Sequence, residues 1–80
     1  MFLEIITPDK KVFSGEVKLV QLPGSKGAFA ILNNHAPIIS TLTNGKIKVI
    51  DMNDKVSFYE VKDGVIESKA NKIIVLAESA

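Results

Sequence analysis

The sequence predicts an all-β fold, a flattened β-sandwich or barrel of about eight to ten short, mostly antiparallel strands. Apolar and polar residues alternate with period two along most of the chain, and turn-forming residues interrupt this alternation at short intervals. The clearest case is Lys46-Ile47-Lys48-Val49, which places lysines on one face and aliphatic side chains on the other. No segment has the apolar spacing of an amphipathic helix, and only residues 34–38 could form a helical turn, which Pro37 limits.

The predicted strands follow one another along the chain, and each is bounded by residues that favour turns. The alternating or apolar runs are residues 2–7, 11–13, 16–22, 46–49, 55–61, 64–69 and 72–77. The turn signals between them are Thr7-Pro8-Asp9, Ser14-Gly15, Pro23-Gly24, Asn53-Asp54, Asp63-Gly64 and Asn71.

Length and composition indicate a single small domain over residues 1–80. A chain of 80 residues buries only about 60–65% of the surface that its unfolded form exposes, so the core is thin. The apolar fraction of 46% and the charged fraction of 24% are typical of a folded domain, which argues against disorder. With no cysteine, the chain has no disulfide framework and no thiolate metal site.

Charge and hydropathy argue against two classes of partner. The net charge is +1 and the basic residues are dispersed, whereas a duplex-binding module concentrates basic charge on one face; nucleic acid is therefore not an expected partner. The longest apolar runs, residues 28–32 and 73–77, are far shorter than the ~20 residues that span a bilayer, so no direct membrane insertion is expected.

The sequence offers no catalytic constellation, and we predict a protein that is not an enzyme. His35 is the only histidine, and neither Ser25 nor Ser40 lies in a nucleophile motif. The carboxylates are dispersed over turns and outward faces, so neither a metal nor a cofactor is expected. Residues 24–27 lack the spacing of a phosphate-binding loop and are interpreted as a flexible hairpin tip.

The aromatic residues leave one alternative open, a small OB-like barrel that binds nucleic acid by base stacking. Phe58 and Tyr59 are adjacent, so they face opposite sides of a strand and cannot form one stacking platform. The four phenylalanines are predicted to be mainly core residues.

Five collinear blocks of the chain resemble the ATP synthase epsilon subunit family. The central block, which begins at Gly24, is Gly-Ser-Lys-Gly-Ala-Phe-Ala-Ile-Leu-Asn-Asn-His-Ala-Pro-Ile-Ile-Ser-Thr-Leu. Ile6-Thr7-Pro8 and Val12-Phe13-Ser14-Gly15 together form one block that is similar to the opening of the family. Residues 45–49, 64–67 and 71–78 are similar to its closing strands, so the resemblance covers nearly the whole chain.

The resemblance implies a β-sandwich at the foot of the central stalk of an F-type ATP synthase. There it would clamp the gamma subunit to the c-ring, couple the flow of H⁺ or Na⁺ to ATP synthesis, and contact the alpha/beta hexamer only indirectly. The complex would hold it on the cytoplasmic face of a bacterial inner membrane. Carried over by position, the expected gamma contacts are Thr7, His35 and Ser40. The expected c-ring contacts are Gly24, Ser25, Lys26, Gly27, Ala28, Phe29, Ala30 and Ile31.

The chain departs from the family pattern in its loop and in its length. Ala28, Ala30 and Asn33 stand where relatives often have a carboxylate, a glycine and a proline. The two-helix C-terminal domain of most relatives is absent from these residues, so we expect coupling without inhibition by that domain. We also expect an apolar interface patch, with Phe29, Ile31, Ile38 and Ile39 as candidates. Because strand faces alternate, only one of Ile38 and Ile39 can point into the core.

Overall fold

The structure, a computed structural model, describes residues 1–79 and contains seven strands and no helix within that range. The strands are β1 (Phe2–Ile6), β2 (Lys11–Leu22), β3 (Phe29–Leu32), β4 (Ile38–Leu42), β5 (Gly45–Asp51), β6 (Val56–Lys69) and β7 (Lys72–Ser79). Residues 34–38 do not form a helical turn. His35 N–H instead donates to Leu32 O across a tight turn in which Asn34 has a φ of 62°.

The strands form two sheets that share β2 and β6. Sheet 1 has the order β4–β6–β7–β1–β2, and sheet 2 has the order β3–β2–β5–β6. Every pairing is antiparallel except that of β1 with β7, which is parallel. Because β1 pairs with both β7 and β2, the path β1–β7–β6–β5–β2 closes on itself. The predicted flattened sandwich or barrel is confirmed.

Two of the predicted turns lie inside continuous strands. Ser14-Gly15 lies within β2 and Asp63-Gly64 within β6, each within two residues of the point where the strand passes from one sheet to the other. Asp63 has a φ of 43°, so the chain bends there without ending the strand. The seven strands therefore supply nine ladder segments, since β2 and β6 each contribute one to both sheets.

The core is one apolar cluster between the two sheets. Alternate residues of each strand point into it, as Leu3 and Ile5 do from β1. The fully buried side chains are Leu3, Ile5, Val17, Val20, Leu22, Ile31, Ile47, Val49, Ile66, Ile73 and Val75. Each contributes about 1.5–3 kcal/mol by leaving water. The period-two pattern of the sequence corresponds directly to this alternation.

The turns lie at two ends of the sandwich, and these ends carry different segments. The Thr7 end holds the β1–β2 turn, the loop of residues 23–28, the β4–β5 turn and Asp63. The His35 end holds the β3–β4 loop, the β5–β6 turn and the β6–β7 turn. Since β1 and β7 run in parallel from the His35 end to the Thr7 end, the length of β1 separates Thr7 from the β3–β4 loop.

Candidate interaction surfaces

The outward side of sheet 1 carries an apolar face, which we define by the side chains of Ile6, Ile39, Val65, Ile74 and Leu76. Val65, Leu76 and Ile6 lie side by side on three adjacent strands. Exposure reaches 75% for Ile39, 49% for Leu76 and 43% for Val65. Together with Glu67 and Ile66, four of these residues line a shallow depression of about 280 Å³. A contiguous exposed apolar patch of this kind marks an interaction site.

The apolar face arises where strands have apolar residues on both sides. The prediction for Ile38 and Ile39 is confirmed, since Ile38 packs against the core and Ile39 is exposed. The prediction that Ile31 and Phe29 belong to this patch is wrong. Ile31 is fully buried, and Phe29 packs against the core. Sequence reasoning missed Val65, Ile74 and Leu76. For Ile74 and Leu76 the sequence contains a signal, the unbroken apolar run of residues 73–77. A strand with one face in water needs apolar residues only at alternate positions.

A charged group borders the apolar face on β1. The Glu4 carboxylate lies 2.9 Å from Lys11 Nζ on β2 and 3.9 Å from Lys72 Nζ on β7. The hydrogen bond from Lys11 is the main cause that lowers the pKa of Glu4; burial opposes it, and the charges of Lys11 and Lys72 add to the lowering. Lys72 also lies over the Phe2 ring, 5.9 Å from its centroid. The ion pairs connect three adjacent strands of sheet 1 at its surface.

The loop of residues 23–28 is held in place by hydrogen bonds. Gly27 N–H donates to Gly24 O at 3.0 Å, and Ser25 N–H donates to Thr41 O at 3.1 Å. Thr41 Oγ1 donates to Ser25 Oγ at 2.9 Å. These bonds tie the hairpin tip to β4, and its flexibility stays a prediction.

The residues expected to face the c-ring are in part accessible and in part not. Ser25, Lys26, Gly27 and Ala28 are exposed at the tip of the loop, and Ala30 is exposed on β3. Phe29 is half-buried. Gly24 is buried, and the Ile31 side chain lies within the core at 1% exposure, so neither presents a side chain to a partner.

The residues expected to contact gamma do not form one cluster. Thr7 is buried in the β1–β2 turn, where its Oγ1 donates to Lys10 O and accepts from Lys10 N–H. Ser40 lies half-buried within β4. His35 is exposed at the opposite end, and its Nδ1 lies 2.7 Å from Ala36 O. Because a carbonyl only accepts, Nδ1 carries the proton in this contact, and Nε2 of the neutral ring is left as an acceptor.

The outward side of sheet 2 also exposes apolar side chains. Leu32, Val56 and Phe58 are exposed on β3 and β6, and Lys48 lies beside Phe58 on β5. The prediction of a core role is wrong for Phe58, which is 60% exposed. Tyr59 points the other way and packs against the core, as the alternation predicts. Phe58 thus has no aromatic neighbour on its own face of β6, and this side lacks the stacking platform of an OB-fold.

The described residues carry no arrangement for metal or acid–base chemistry. Within residues 1–79, no group of three histidine, cysteine or acidic side chains is close enough to hold a metal ion. The same range contains no buried side-chain donor or acceptor without a hydrogen-bond partner. It also contains no helix of the length and hydropathy needed to cross a bilayer.

A family profile for the β-sandwich domain of the ATP synthase delta/epsilon chain matches residues 1–80. The chain belongs to this family. As a member of the delta/epsilon family, it is 40% identical over 81 residues to the ATP synthase epsilon chain of Campylobacter hominis, covering 100% of this chain and 62% of that protein. It is 35% identical over 80 residues to the ATP synthase epsilon chain of Caulobacter vibrioides, covering 100% of this chain and 92% of that protein.

These relatives differ in length. The chain spans about three fifths of the Campylobacter protein (62%), and it spans most of the Caulobacter protein (92%). The β-sandwich of this family therefore occurs both in relatives that are much longer than this domain and in relatives that are only slightly longer.

Solved structures share the fold of this family member. One is a chain in the mitochondrial ATP synthase of Euglena gracilis, described as OSCP/F1/c-ring, with a TM-score of 0.90 at 16% identity over 96% of this chain and 49% of that chain. Another is a chain of the central stalk/c-ring of Tetrahymena thermophila mitochondrial ATP synthase, with a TM-score of 0.80 at 14% identity over 96% of this chain and 62% of that chain. At such low identity the likeness shows the fold.

Proposed function

We propose that this domain is a rotor subunit in the central stalk of an F-type ATP synthase. It clamps the gamma subunit to the c-ring, so that both turn as one body and the flow of H⁺ or Na⁺ is coupled to ATP synthesis. The observation that carries this proposal is an exposed apolar face on a member of the delta/epsilon family. The domain catalyses nothing itself.

The apolar face of sheet 1 is the docking surface for gamma. Its exposed aliphatic side chains supply the dry centre that a stable interface needs, and Glu4, Glu67 and the nearby lysines supply a polar rim. Thr7 and His35 lie at opposite ends of sheet 1, and Ser40 lies on its edge strand between them. Thr7 is buried, and the Ser40 side chain lies on the inner side of β4, opposite exposed Ile39. Of the three residues, only His35 therefore presents an exposed side chain to a partner on the apolar face.

The loop at the Thr7 end is the contact with the c-ring. Hydrogen bonds to β4 hold its backbone, so it presents Ser25, Lys26 and Ala28 as a preformed surface. A preformed loop loses little conformational freedom when it docks, so the contact costs less free energy than one made by a mobile loop.

Assembly determines where the protein acts. The domain of residues 1–80 works as one unit on the cytoplasmic face of a bacterial inner membrane, held there by gamma and the ring and contacting the alpha/beta hexamer only through gamma. These residues couple the rotor. Inhibition of ATP hydrolysis by a helical C-terminal domain is not one of their activities.

Co-elution with a cognate gamma subunit on a sizing column tests the gamma contact. The wild-type chain is expected to co-elute stoichiometrically. The Ile39→Asp variant is expected to bind about 30-fold more weakly, a loss of about 2 kcal/mol, because it places a charge in the apolar centre. Since Ile39 is 75% exposed, the isolated variant is expected to keep the wild-type fold.

Phe58→Asp is the matched control, since Phe58 is 60% exposed on sheet 2 and faces away from the proposed contact. This variant is expected to bind gamma like the wild type. Loss of binding by Phe58→Asp with normal binding by Ile39→Asp would assign the contact to sheet 2. A folded wild-type chain that does not bind gamma would refute the proposed function.

A further inference from the structure

The β3–β4 loop, which carries His35, makes few contacts of its own. His35, Ala36 and Pro37 are all exposed, and Asn34 has a φ of 62°, in the left-handed region. Such a segment needs an external tie to hold one conformation. The tie comes from the turn between β6 and β7, which lies at the same end of the sandwich.

Asn71 makes this connection with both polar atoms of its side chain. Its Nδ2 donates to Asn33 Oδ1 at 2.8 Å, and its Oδ1 accepts from Asn34 N–H at 2.8 Å. The backbone of Asn71 is fixed as well, because its carbonyl accepts from Phe2 N–H at 3.1 Å on β1. The Asn71 side chain thus joins the β3–β4 loop to the central strands of sheet 1, and the Met1 ammonium adds a longer contact to Asn33 Oδ1 at 3.5 Å.

We propose that Asn71 is a positioning residue that holds the His35 loop in the conformation that gamma binds. The choice of gamma as the partner rests on the proposed function. The ordering of the loop by Asn71 rests on the hydrogen bonds alone. Asparagine meets both demands of the position. It tolerates the φ of 61° that the turn imposes, and it presents a donor and an acceptor side by side.

Substitutions separate these two demands. Asn71→Gly keeps the left-handed turn and removes both side-chain bonds. Asn71→Asp keeps the acceptor for Asn34 N–H and loses the donor to Asn33. Asn33→Ala lies outside the turn and removes the Asn71–Asn33 bond from the loop side, together with the longer bond that Asn33 Oδ1 accepts from the Met1 ammonium at 3.5 Å. Ala70→Gly is the matched control, because Ala70 has a φ of 51° in the same turn and its side chain has no polar atom.

Amide hydrogen exchange on the free, folded chain gives the first readout. In Asn71→Gly, exchange of the Asn34 N–H is expected to accelerate about tenfold, as expected for loss of an exposed neutral hydrogen bond. Exchange in β7 and the melting temperature are expected to stay near the wild-type values. Ala70→Gly is expected to leave the Asn34 exchange rate unchanged. An unchanged rate in Asn71→Gly would overturn the proposal.

Affinity for gamma gives the second readout. When the loop adopts the binding conformation less often, the apparent affinity for gamma falls in proportion to the population of that conformation. We expect the affinity of Asn71→Gly to fall roughly 3- to 10-fold. Asn71→Asp and Asn33→Ala should lose less, and Ala70→Gly should lose nothing. A faster-exchanging loop with unchanged gamma affinity would show that its order does not matter for binding, which also overturns the proposal. If wild-type chain fails to bind gamma, the proposed function fails, and the exchange rates still decide whether Asn71 orders the loop.

Discussion

Gly24 is the residue at which the shape of the loop of residues 23–28 is most constrained. A Cβ at this position would lie 2.6 Å from Gly27 O and 2.7 Å from the Phe29 ring. Both contacts are shorter than packing tolerates, so the loop or β3 would have to move. We expect Gly24→Ala to lower the free energy of unfolding by about 1–3 kcal/mol, as overpacking does. Urea unfolding monitored by circular dichroism measures this change.

Gly15 provides the matched control for Gly24, since it is also a glycine of the sheet. A Cβ on Gly15 would meet only the Phe13 ring, at an ordinary distance of 3.6 Å. Gly15→Ala is therefore expected to be neutral or to stabilise by about 0.5 kcal/mol, because alanine loses less backbone entropy on folding. Equal destabilisation by both substitutions would refute the steric explanation for Gly24.

At the scale of single strands, Glu4 makes β1 an electrostatic bridge between β2 and β7. The hydrogen bond from Lys11 lowers the pKa of Glu4 below its ordinary value of 4.5. Because the pKa is lower in the folded chain than in the unfolded one, this stabilisation is complete above pH 4.5 and is lost as the pH falls through the folded-state pKa. We expect Glu4→Gln to reduce stability at neutral pH and to flatten the decline on acidification below pH 4.5.

Urea unfolding at neutral pH and at a pH below 4.5 measures this effect. Glu67→Gln is the control, because Glu67 lies on the same face of sheet 1 and forms no ion pair with the described residues. If Glu67→Gln and Glu4→Gln change the acid dependence equally, the Lys11 contact is not its cause.

The loops at the two ends of the sandwich are expected to reach different partners. The chain has no cysteine, so one introduced thiol is unique within it. In the assembled complex, Ala28→Cys at the Thr7 end should crosslink to the c-ring, and His35→Cys should crosslink to gamma. Asn53→Cys, on the exposed β5–β6 turn, should react with neither. Crosslinking of Ala28→Cys to gamma alone would reject the assignment of the loop to the ring.

The sequence predicts the strands better than it predicts how they connect. Alternation locates the inward residues of β1 and β5, because burial on one face imposes period two. Ser14-Gly15 and Asp63-Gly64 have the local chemistry of turns, yet β2 and β6 continue through them. The reason is non-local: Gly64 pairs with Leu42 and Ala77, and a Cβ on it would lie 2.6 Å from Leu76 O. Glycine is required there by a neighbouring strand, which no local pattern reveals.

Local sequence patterns also do not reveal which residues share one interaction surface. Family resemblance assigns Thr7, His35 and Ser40 to one partner, but only the topology shows that they are distributed along sheet 1. Because Ile38 and Ile39 are adjacent, the sequence predicts that one of them is exposed but not which one; the structure shows that it is Ile39. Leu76 could not be assigned to the same face, because this requires the register of β4, β6 and β7.

At the scale of the whole molecule, a thin core and one uncovered apolar face imply that the protein gains stability from its partner. Binding to the folded state alone adds about 2.7 kcal/mol when gamma is present at a hundredfold excess over its dissociation constant. For a domain of this size, each kcal/mol raises the melting temperature by about 4–8 °C. We therefore expect a gamma-dependent increase of about 10–20 °C.

Thermal unfolding of the chain with and without gamma measures this increase. The melting temperature should rise with gamma concentration, because the stabilisation follows mass action. Ile39→Asp should melt like the wild type when alone and gain little from gamma, whereas Phe58→Asp should gain the full increase, since Phe58 lies on the opposite sheet. A wild-type chain that binds gamma without any rise in melting temperature would mean that its unfolded form binds equally well. Docking through the apolar face of sheet 1 would then be wrong, because that face exists only when β1, β4, β6 and β7 are paired.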